Sequence, residues 1–355
     1  MSQRIVIHQG SLSLRGDSVN AQTLSILLSS LFGIDCLIVA PDSESNSPSR
    51  IKEMMELGLR VHLYKDQREL WNVSEKFRAT HSYFMSDGRY SNLWIPNTRH
   101  LVHAVFRNFV PHGHVYAYVS EWLYRKATRS GRRQTRLEIE TQQTELQSPF
   151  GLDYDTKITW VPQAVIAKPQ PLGNFREKFN ISDSVKIIAR IGGFTQFDDQ
   201  AAQEALKVIA SKEKGIKIVL VNTKPFFSHP NILYLNSKAD RDGISEHDKW
   251  SLYSDADLLL NGRSMGETFG FSIVEPLMIG KPVLAPDRLR HPRMDANHMH
   301  LLRPLNLTYI TKKGLLRRIY RLLDSPPDPE ALMRTVAKYE PQQSMAIFVD
   351  RFLSN

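Results

Sequence analysis

The stretch from Ala256 to Ala285 restricts the fold more than any other part of this sequence. Ala256 to Leu260 is an apolar run of strand length, and Val283 to Ala285 is a second. Between them lie a loop carrying Gly262, Gly266 and Gly270, a short helical segment ending at Ile279, and the breaker Gly280-Lys281-Pro282. Strand, glycine-rich loop, short helix, strand is one βαβ unit. Such a unit belongs to a parallel sheet with right-handed crossovers.

The rest of the chain repeats this alternation. Strands are expected at Ile5 to His8, Ile34 to Val39 and Leu59 to Tyr64, with helices between them. That βαβαβ opening predicts a doubly wound parallel sheet. From Thr80 to Pro111 the chain is aromatic and turn-rich and reads as short strands and long loops, with a strand from Leu101 to Phe106. Val115 to Val119 and Ile158 to Val161 close the first half. Ala167 to Gly173 carries three breakers in seven residues and reads as a linker. A second set of strands begins at Val185 to Arg190 and continues at Ile216 to Val221, Ile232 to Leu235 and Leu307 to Ile310. The expected division is one α/β domain over residues 1–166, a second over 174–338, and an amphipathic helix in 339–355.

The 355 residues suffice for two full cores. No apolar run approaches the roughly 20 residues that span a bilayer. The N-terminus runs straight into a strand without a signal-peptide pattern, and Cys36 is the single cysteine. These features predict a cytoplasmic setting. The net charge of +9 favours anionic partners without choosing among nucleic acid, lipid and phosphorylated small molecules.

The carboxyl end of a parallel strand, opening onto a helix N-terminus, is where open α/β sheets bind anions. Three glycines within nine residues let backbone approach a ligand there. Glu267 and Glu275 bracket this loop, and carboxylates accept hydrogen bonds from hydroxyls. A phosphate cradle between two hydroxyl acceptors suits a ligand with sugars on both sides of a diphosphate, a nucleotide sugar. A second interpretation is local: Ser272-Ile273-Val274-Glu275 matches a capping box, with Glu275 serving only the helix. That fits Pro276 only if the helix begins close to it.

Several stretches, in order, resemble the retaining GT-B glycosyltransferases of the family-4 type. Gly266 to Val283 is similar to their Glu-x7-Glu signature with its trailing Gly-x-Pro-Val, and Ile188-Ala189-Arg190-Ile191 to their phosphate-binding Gly-Arg-Leu strand end. Val161 to Val165 resembles the Val-Pro-Asn-Gly-Val linker. Pro111-His112-Gly113 with Val119-Ser120 resembles the His-Gly and Val-Ser pair. The resemblance implies two Rossmann-like domains facing a cleft, with the C-terminal helix packing back on the first. It implies transfer of a sugar from a UDP- or GDP-sugar to an acceptor hydroxyl with retention, without a required metal or cofactor. Arg190 would bind the diphosphate, Glu275 the ribose and Glu267 the transferred sugar. The amides of Thr268, Phe269 and Gly270 would face sugar and phosphate, and His112 would touch the sugar from the first domain. The family usually adds a lysine a few residues after the arginine. Here Gly192 to Asp199 contains none, which leaves Gly192, Gly193 and Thr195 as neutral substitutes, with Arg263 or Lys281 as further sources of charge.

Other features stay open at this level. His100, His103, His112 and His114 lie close in sequence without a zinc spacing, and Asp153-Tyr154-Asp155 and Asp255-Ala256-Asp257 match a metal-binding Asp-x-Asp. The basic run Arg125 to Arg136 reads as solvated surface, or as a docking surface for an anionic acceptor, a membrane or nucleic acid. The alternatives to a hydroxyl-directed enzyme are a non-catalytic basic binding protein for nucleic acid or phosphorylated glycan, and transfer to a DNA base or lipid carrier.

Overall fold

A computed structural model describes residues 3–13, 16–91, 93–131, 156–168, 174–236, 244–287 and 295–354. The chain forms two compact units. The first holds Met1–Ala164 together with Tyr339–Asn355, and the second holds Val165–Lys338.

Unit 1 carries β1 (Arg4–His8), α1 (Gly16–Phe32), β2 (Asp35–Pro41), α2 (Pro48–Glu56), β3 (Val61–Tyr64), α3 (Gln67–Lys76), β4 (His81–Ser86), β5 (Arg99–Ala104), β6 (Val115–Tyr118), α4 (Glu121–Gly131) and β7 (Lys157–Trp160). The strands form one parallel sheet in the order β3-β2-β1-β4-β5-β6-β7. Side-chain alternation sorts the core into two layers. Ile5, Ile7 and Ile38 face Leu24, Leu28 and Met54, while Val6, Leu37 and Val39 face Leu70 and Ile95. The C-terminal helix, Pro341–Phe348, continues into a π-helical turn, Val349–Leu353. Met345, Phe348, Phe352 and Leu353 lie in the first of these layers, so the amphipathic face completes the unit 1 core.

Unit 2 carries α5 (Phe175–Lys178), β8 (Lys186–Ile191), α6 (Gln200–Lys212), β9 (Ile216–Val221), β10 (Ile232–Leu235), α7 (Glu246–Asp255), β11 (Leu258–Leu260), β12 (Gly266–Glu267), α8 (Phe271–Met278), β13 (Val283–Pro286), β14 (Asp295–Ala296), α9 (Asn297–Leu302), β15 (Thr308–Tyr309), α10 (Lys312–Asp324) and α11 (Pro329–Val336). Its main sheet is also parallel, in the order β10-β9-β8-β11-β13-β15. Helix starts follow capping chemistry. Ser245 Oγ accepts from the Asp248 amide at 3.0 Å, and Thr311 Oγ1 accepts from Gly314 at 3.1 Å.

Two elements of unit 1 are more definite than the sequence reading. Within the stretch read as short strands and long loops, residues 81–86 form a central strand beside β1. Its polar residues hide the signal because they are satisfied inside. Ser82 Oγ meets His100 Nδ1 at 3.2 Å, and Tyr83 OH meets His103 Nδ1 at 2.7 Å. Helix α3, between β3 and β4, has no counterpart in the sequence reading. Asp66 caps it by accepting from the Glu69 amide at 2.8 Å. In unit 2, Pro276 lies inside α8 and not in its first turn. Among the described residues no helix is long and apolar enough to cross a membrane.

Candidate active site

In unit 2 the chain order reverses between β8, which leads to β9, and β11 on its other side. That switch point, at the carboxyl ends of β8 and β11, is where open α/β sheets form a crevice for ligands. Arg190 stands at the end of β8, and Asn261 follows β11.

Arg190 is buried, with 4% of its surface exposed. Its Nη1 donates to the Val221 carbonyl at 2.9 Å, the Asn222 carbonyl at 2.8 Å and Thr223 Oγ1 at 2.8 Å. Its Nη2 donates to the Gly193 carbonyl at 2.8 Å. Burial pushes the guanidinium down to about 10, against the pull of Glu267, so it stays charged at neutral pH. A Cβ at Gly192 would lie 2.6 Å from Arg190 Nη2, which explains the glycine. The Gly193 amide donates to Gln196 Oε1 at 3.3 Å, so the side chain at the missing lysine's neighbourhood draws on that amide itself. Thr195 is exposed.

The loop after β8 is stitched to the loop after β11. The Asp199 amide donates to the Gly262 carbonyl at 2.9 Å. Asp198 accepts from the Ser264 amide at 2.8 Å and from Ser264 Oγ at 2.6 Å. A Cβ at Gly262 would fall 2.3 Å from the Phe197 ring. This stitching carries Arg263 to the site, where its Nη1 pairs with Glu267 Oε2 at 3.0 Å. Lys281 lies elsewhere: its Nζ donates to the Ala256 carbonyl, at the amino end of β11, at 3.1 Å. Asp257 also sits at that end. It accepts from the Ile187 amide at 2.8 Å and pairs with Lys186 at 3.0 Å, an ordinary structural role for that Asp-x-Asp match. Asp153 and Asp155 lie outside the described residues.

Glu267 Oε1 accepts from Asn261 Nδ2 at 3.0 Å. The Glu267 amide donates to His298 Nδ1 at 3.3 Å, and His298 Nε2 donates to the Pro286 carbonyl at 3.2 Å. Burial lowers this imidazole, which favours the neutral tautomer that the two bonds require. Asn297 Nδ2 donates to the Phe269 carbonyl at 3.1 Å. Thr268 and Phe269 thus lie in the turn between Glu267 and α8. Gly270 is the N-cap residue in a left-handed conformation, φ +93°, and a Cβ there would be 3.0 Å from Glu267 Cβ.

The capping-box reading is overturned. The N-cap is Gly270, Ser272 lies within the first turn of α8, and Ser272 Oγ accepts from Asn261 Nδ2 at 3.2 Å. Glu275 turns to α7 instead. Its Oε1 accepts from Lys249 Nζ at 2.8 Å and its Oε2 from Tyr253 OH at 3.1 Å. Sequence reasoning missed Lys249, Tyr253, Asn261 and His298. Only Asn261 had a usable signal, a polar residue closing an apolar strand.

His112 belongs to unit 1, in the loop between β5 and β6. It is buried against Tyr90 and Tyr116, with ring centroids 5.2 and 5.6 Å away. Its Nδ1 donates to the Val110 carbonyl at 2.7 Å. Burial lowers its basicity, so the neutral ring presents Nε2 as an acceptor. The other histidines of that group are held by the fold. The His100 amide donates to His114 Nδ1 at 2.9 Å, and His103 Nε2 donates to the Val161 carbonyl at 2.8 Å. Among the described residues no three His, Cys, Asp or Glu side chains are grouped to hold a metal ion. Of the basic run, Arg125 to Arg129 are in α4, where Arg125 pairs with Glu121 at 2.6 Å, and Arg132 to Arg136 lie outside the described residues.

No protein-family model matches the sequence, and no curated protein does. Solved structures do match over the whole chain, and they are GT-B glycosyltransferases. A glycosyltransferase from Rickettsia africae ESF-5 superposes with a TM-score of 0.61 at 15% identity, covering 100% of this chain and 99% of that one. The spinosyn forosaminyltransferase SpnP gives 0.59 at 11%, covering 100% of both chains. Anabaena Alr3699/HepE, solved in complex with UDP-glucose, gives 0.58 at 13%, covering 98% of this chain and 95% of that one. The class that these likenesses define is a fold class: two parallel-sheet α/β domains of the GT-B glycosyltransferase kind.

Proposed function

We propose that this protein is a retaining glycosyltransferase of the family-4 type that moves a sugar from a UDP- or GDP-sugar to an acceptor hydroxyl without a metal. The observation that carries this reading is the unit 2 switch point, where buried Arg190 feels the charge of Glu267 at the turn that opens α8, and Glu275 lies further along α8 against Tyr253, which Arg190 also feels. The contacts of Arg190 engage Nη1 and one Nη2 hydrogen. Its Nε–H and second Nη2–H are assigned to the donor diphosphate, by the fork geometry that suits phosphate. Glu275 is assigned to the ribose. Glu267, the turn at Thr268, Phe269 and Gly270, and His112 through Nε2 are assigned to the transferred sugar and its phosphate. Gly192, Gly193 and Thr195 line the phosphate side. UDP-glucose in the HepE complex supports a donor of this class.

In this mechanism the leaving diphosphate is stabilised by Arg190 and by the N-terminus of α8, and one of its oxygens takes the acceptor's proton. Unit 1 supplies the acceptor side. A panel of UDP- and GDP-sugars, read by melting temperature and then by donor hydrolysis, tests the reading. Stabilisation without turnover would favour the non-catalytic binding protein, for which the missing lysine speaks.

Two predictions belong here. Glu275→Gln is expected to weaken nucleoside diphosphate binding about tenfold or more, since a hydrogen bond to a charged acceptor is worth about 1.5–3 kcal/mol. Unchanged affinity by calorimetry, with a lowered Tm, would leave Glu275 a scaffold group. For partners, the basic run is assigned to an anionic acceptor or membrane headgroups. Replacing Arg129, Arg132 and Arg133 with glutamine should then weaken binding to anionic vesicles and flatten its salt dependence. An unaltered salt slope would mark the run as solvated surface.

A further inference from the structure

Glu275 is a carboxylate in a place where carboxylates are costly. It is 5% exposed, and burial raises it toward the neutral acid, with Glu246 nearby adding to the effect. A neutral acid is a poor reader of a ribose diol, because only the ionised form offers charge-assisted acceptance on both oxygens. One cation opposes the burial. Lys249 Nζ lies 2.8 Å from Glu275 Oε1 and 3.0 Å from Glu246 Oε2. Burial pulls Lys249 down, and the two carboxylates more than offset this and hold it charged. The other groups near Glu275 do not replace it. Tyr253 donates a neutral hydrogen bond, and Arg190 is engaged by carbonyls at the end of β9. On α11, which packs on α8, Glu330 and Arg334 pair with each other at the surface, 3.3 Å apart.

The bonds from Lys249 and Tyr253 use one lone pair on each Glu275 oxygen, and a carboxylate offers about four acceptor sites. Two therefore remain, one per oxygen, which matches a vicinal diol. We propose that Lys249 is a positioning residue that keeps the Glu275 carboxylate ionised and oriented to accept from a ribose, and so sets this site's preference for ribonucleotides over 2′-deoxyribonucleotides. The inference rests on the nucleotide-sugar reading above.

The experiment compares UDP with 2′-deoxy-UDP, and GDP with 2′-deoxy-GDP, by calorimetry on the full chain from pH 6 to pH 9. The parent should prefer the better-bound ribonucleotide about tenfold or more where Glu275 is ionised, toward the alkaline end of that range. In Lys249→Met, and in the milder Lys249→Gln, the preference should be smaller than the parent's at the same pH and should need a more alkaline pH to appear, as Glu275 ionises without its counter-ion. Glu275→Gln should lose it at all pH values. A purely structural lysine would weaken both nucleotides alike and leave their ratio at each pH as in the parent, and that result in either lysine variant overturns the proposal. So does a parent that binds UDP or GDP with no ribose preference, a measurement that needs no variant to fold. A parent that binds neither nucleotide would instead overturn the transferase reading, and this inference with it.

Discussion

Lowering the pH from 7.5 to 5 is expected to destabilise unit 1 by several kcal/mol. Three histidines inside it are held neutral by burial: His8 is pushed down to about 4, His100 to about 3 and His103 to about 4. His112 and His114 add to the effect on His100, and the bond from His103 to Val161 opposes it only in part. The sign follows from proton counting. In the unfolded chain each ring takes a proton near the ordinary imidazole value of 6.5. Between about pH 6.5 and pH 4 the unfolded state therefore binds more protons, and stability falls as pH falls. Each ring contributes about 1.4 kcal/mol per pH unit in that window, so three remove about 4 kcal/mol by pH 5.5 and about 6 kcal/mol by pH 5. A domain has about 5–15 kcal/mol in total. Urea unfolding at pH 7.5, 6.5 and 5.5 measures this directly. Stability that stays level across the range would mean that these rings are charged, or exposed to water, in the folded protein.

The same histidines mark where the sequence stops being legible. Strands made of Ile, Val and Leu, such as β1, β9 and β11, are visible because a parallel strand buried on both faces must be apolar throughout. Strand β4 breaks that rule with His81, Ser82 and Tyr83, whose polar atoms find partners in the preceding Thr80, on β5 and on α1. No local pattern reports such satisfaction. The site divides in the same way. Glu267 and Glu275 stand out because their spacing, glycines and helix are contiguous. Their counter-ions do not: Lys249 comes from α7, 26 positions away, and reaches Glu275 only through packing. Arg263 is close in sequence, yet its direction is set by the bonds between Asp198 and Ser264. Apart from Thr223 Oγ1, the hydrogen-bond partners of Arg190 are carbonyls, which have no side-chain signature at all.

Those carbonyls decide what Arg190→Ala should do. The substitution removes a charge from the assigned diphosphate site, and it strips a donor from the Val221, Asn222 and Gly193 carbonyls and from Thr223 Oγ1. Buried acceptors left unpaired cost about 1–3 kcal/mol each, and such losses do not add fully. A net destabilisation of about 3 kcal/mol would lower Tm by about 6–12 °C for a unit of this size. Transfer should fall roughly 100- to 1,000-fold, the loss typical of one preorganised donor to a developing negative charge. Arg263 does not supply a full reserve, because it is paired with Glu267 at 3.0 Å, and Lys281 is at the wrong end of β11. Arg190→Lys separates the two effects. A lysine keeps the charge but cannot span the ends of β8 and β9 with one nitrogen, so it should recover part of the transfer and little of the Tm. The measurements are single-turnover transfer at saturating donor and thermal unfolding of the same samples. A large fall in Tm with transfer within about threefold of the parent would assign Arg190 to the scaffold alone. The diphosphate would then have to meet its cation at Arg263, with Glu267 released to the sugar as the donor arrives.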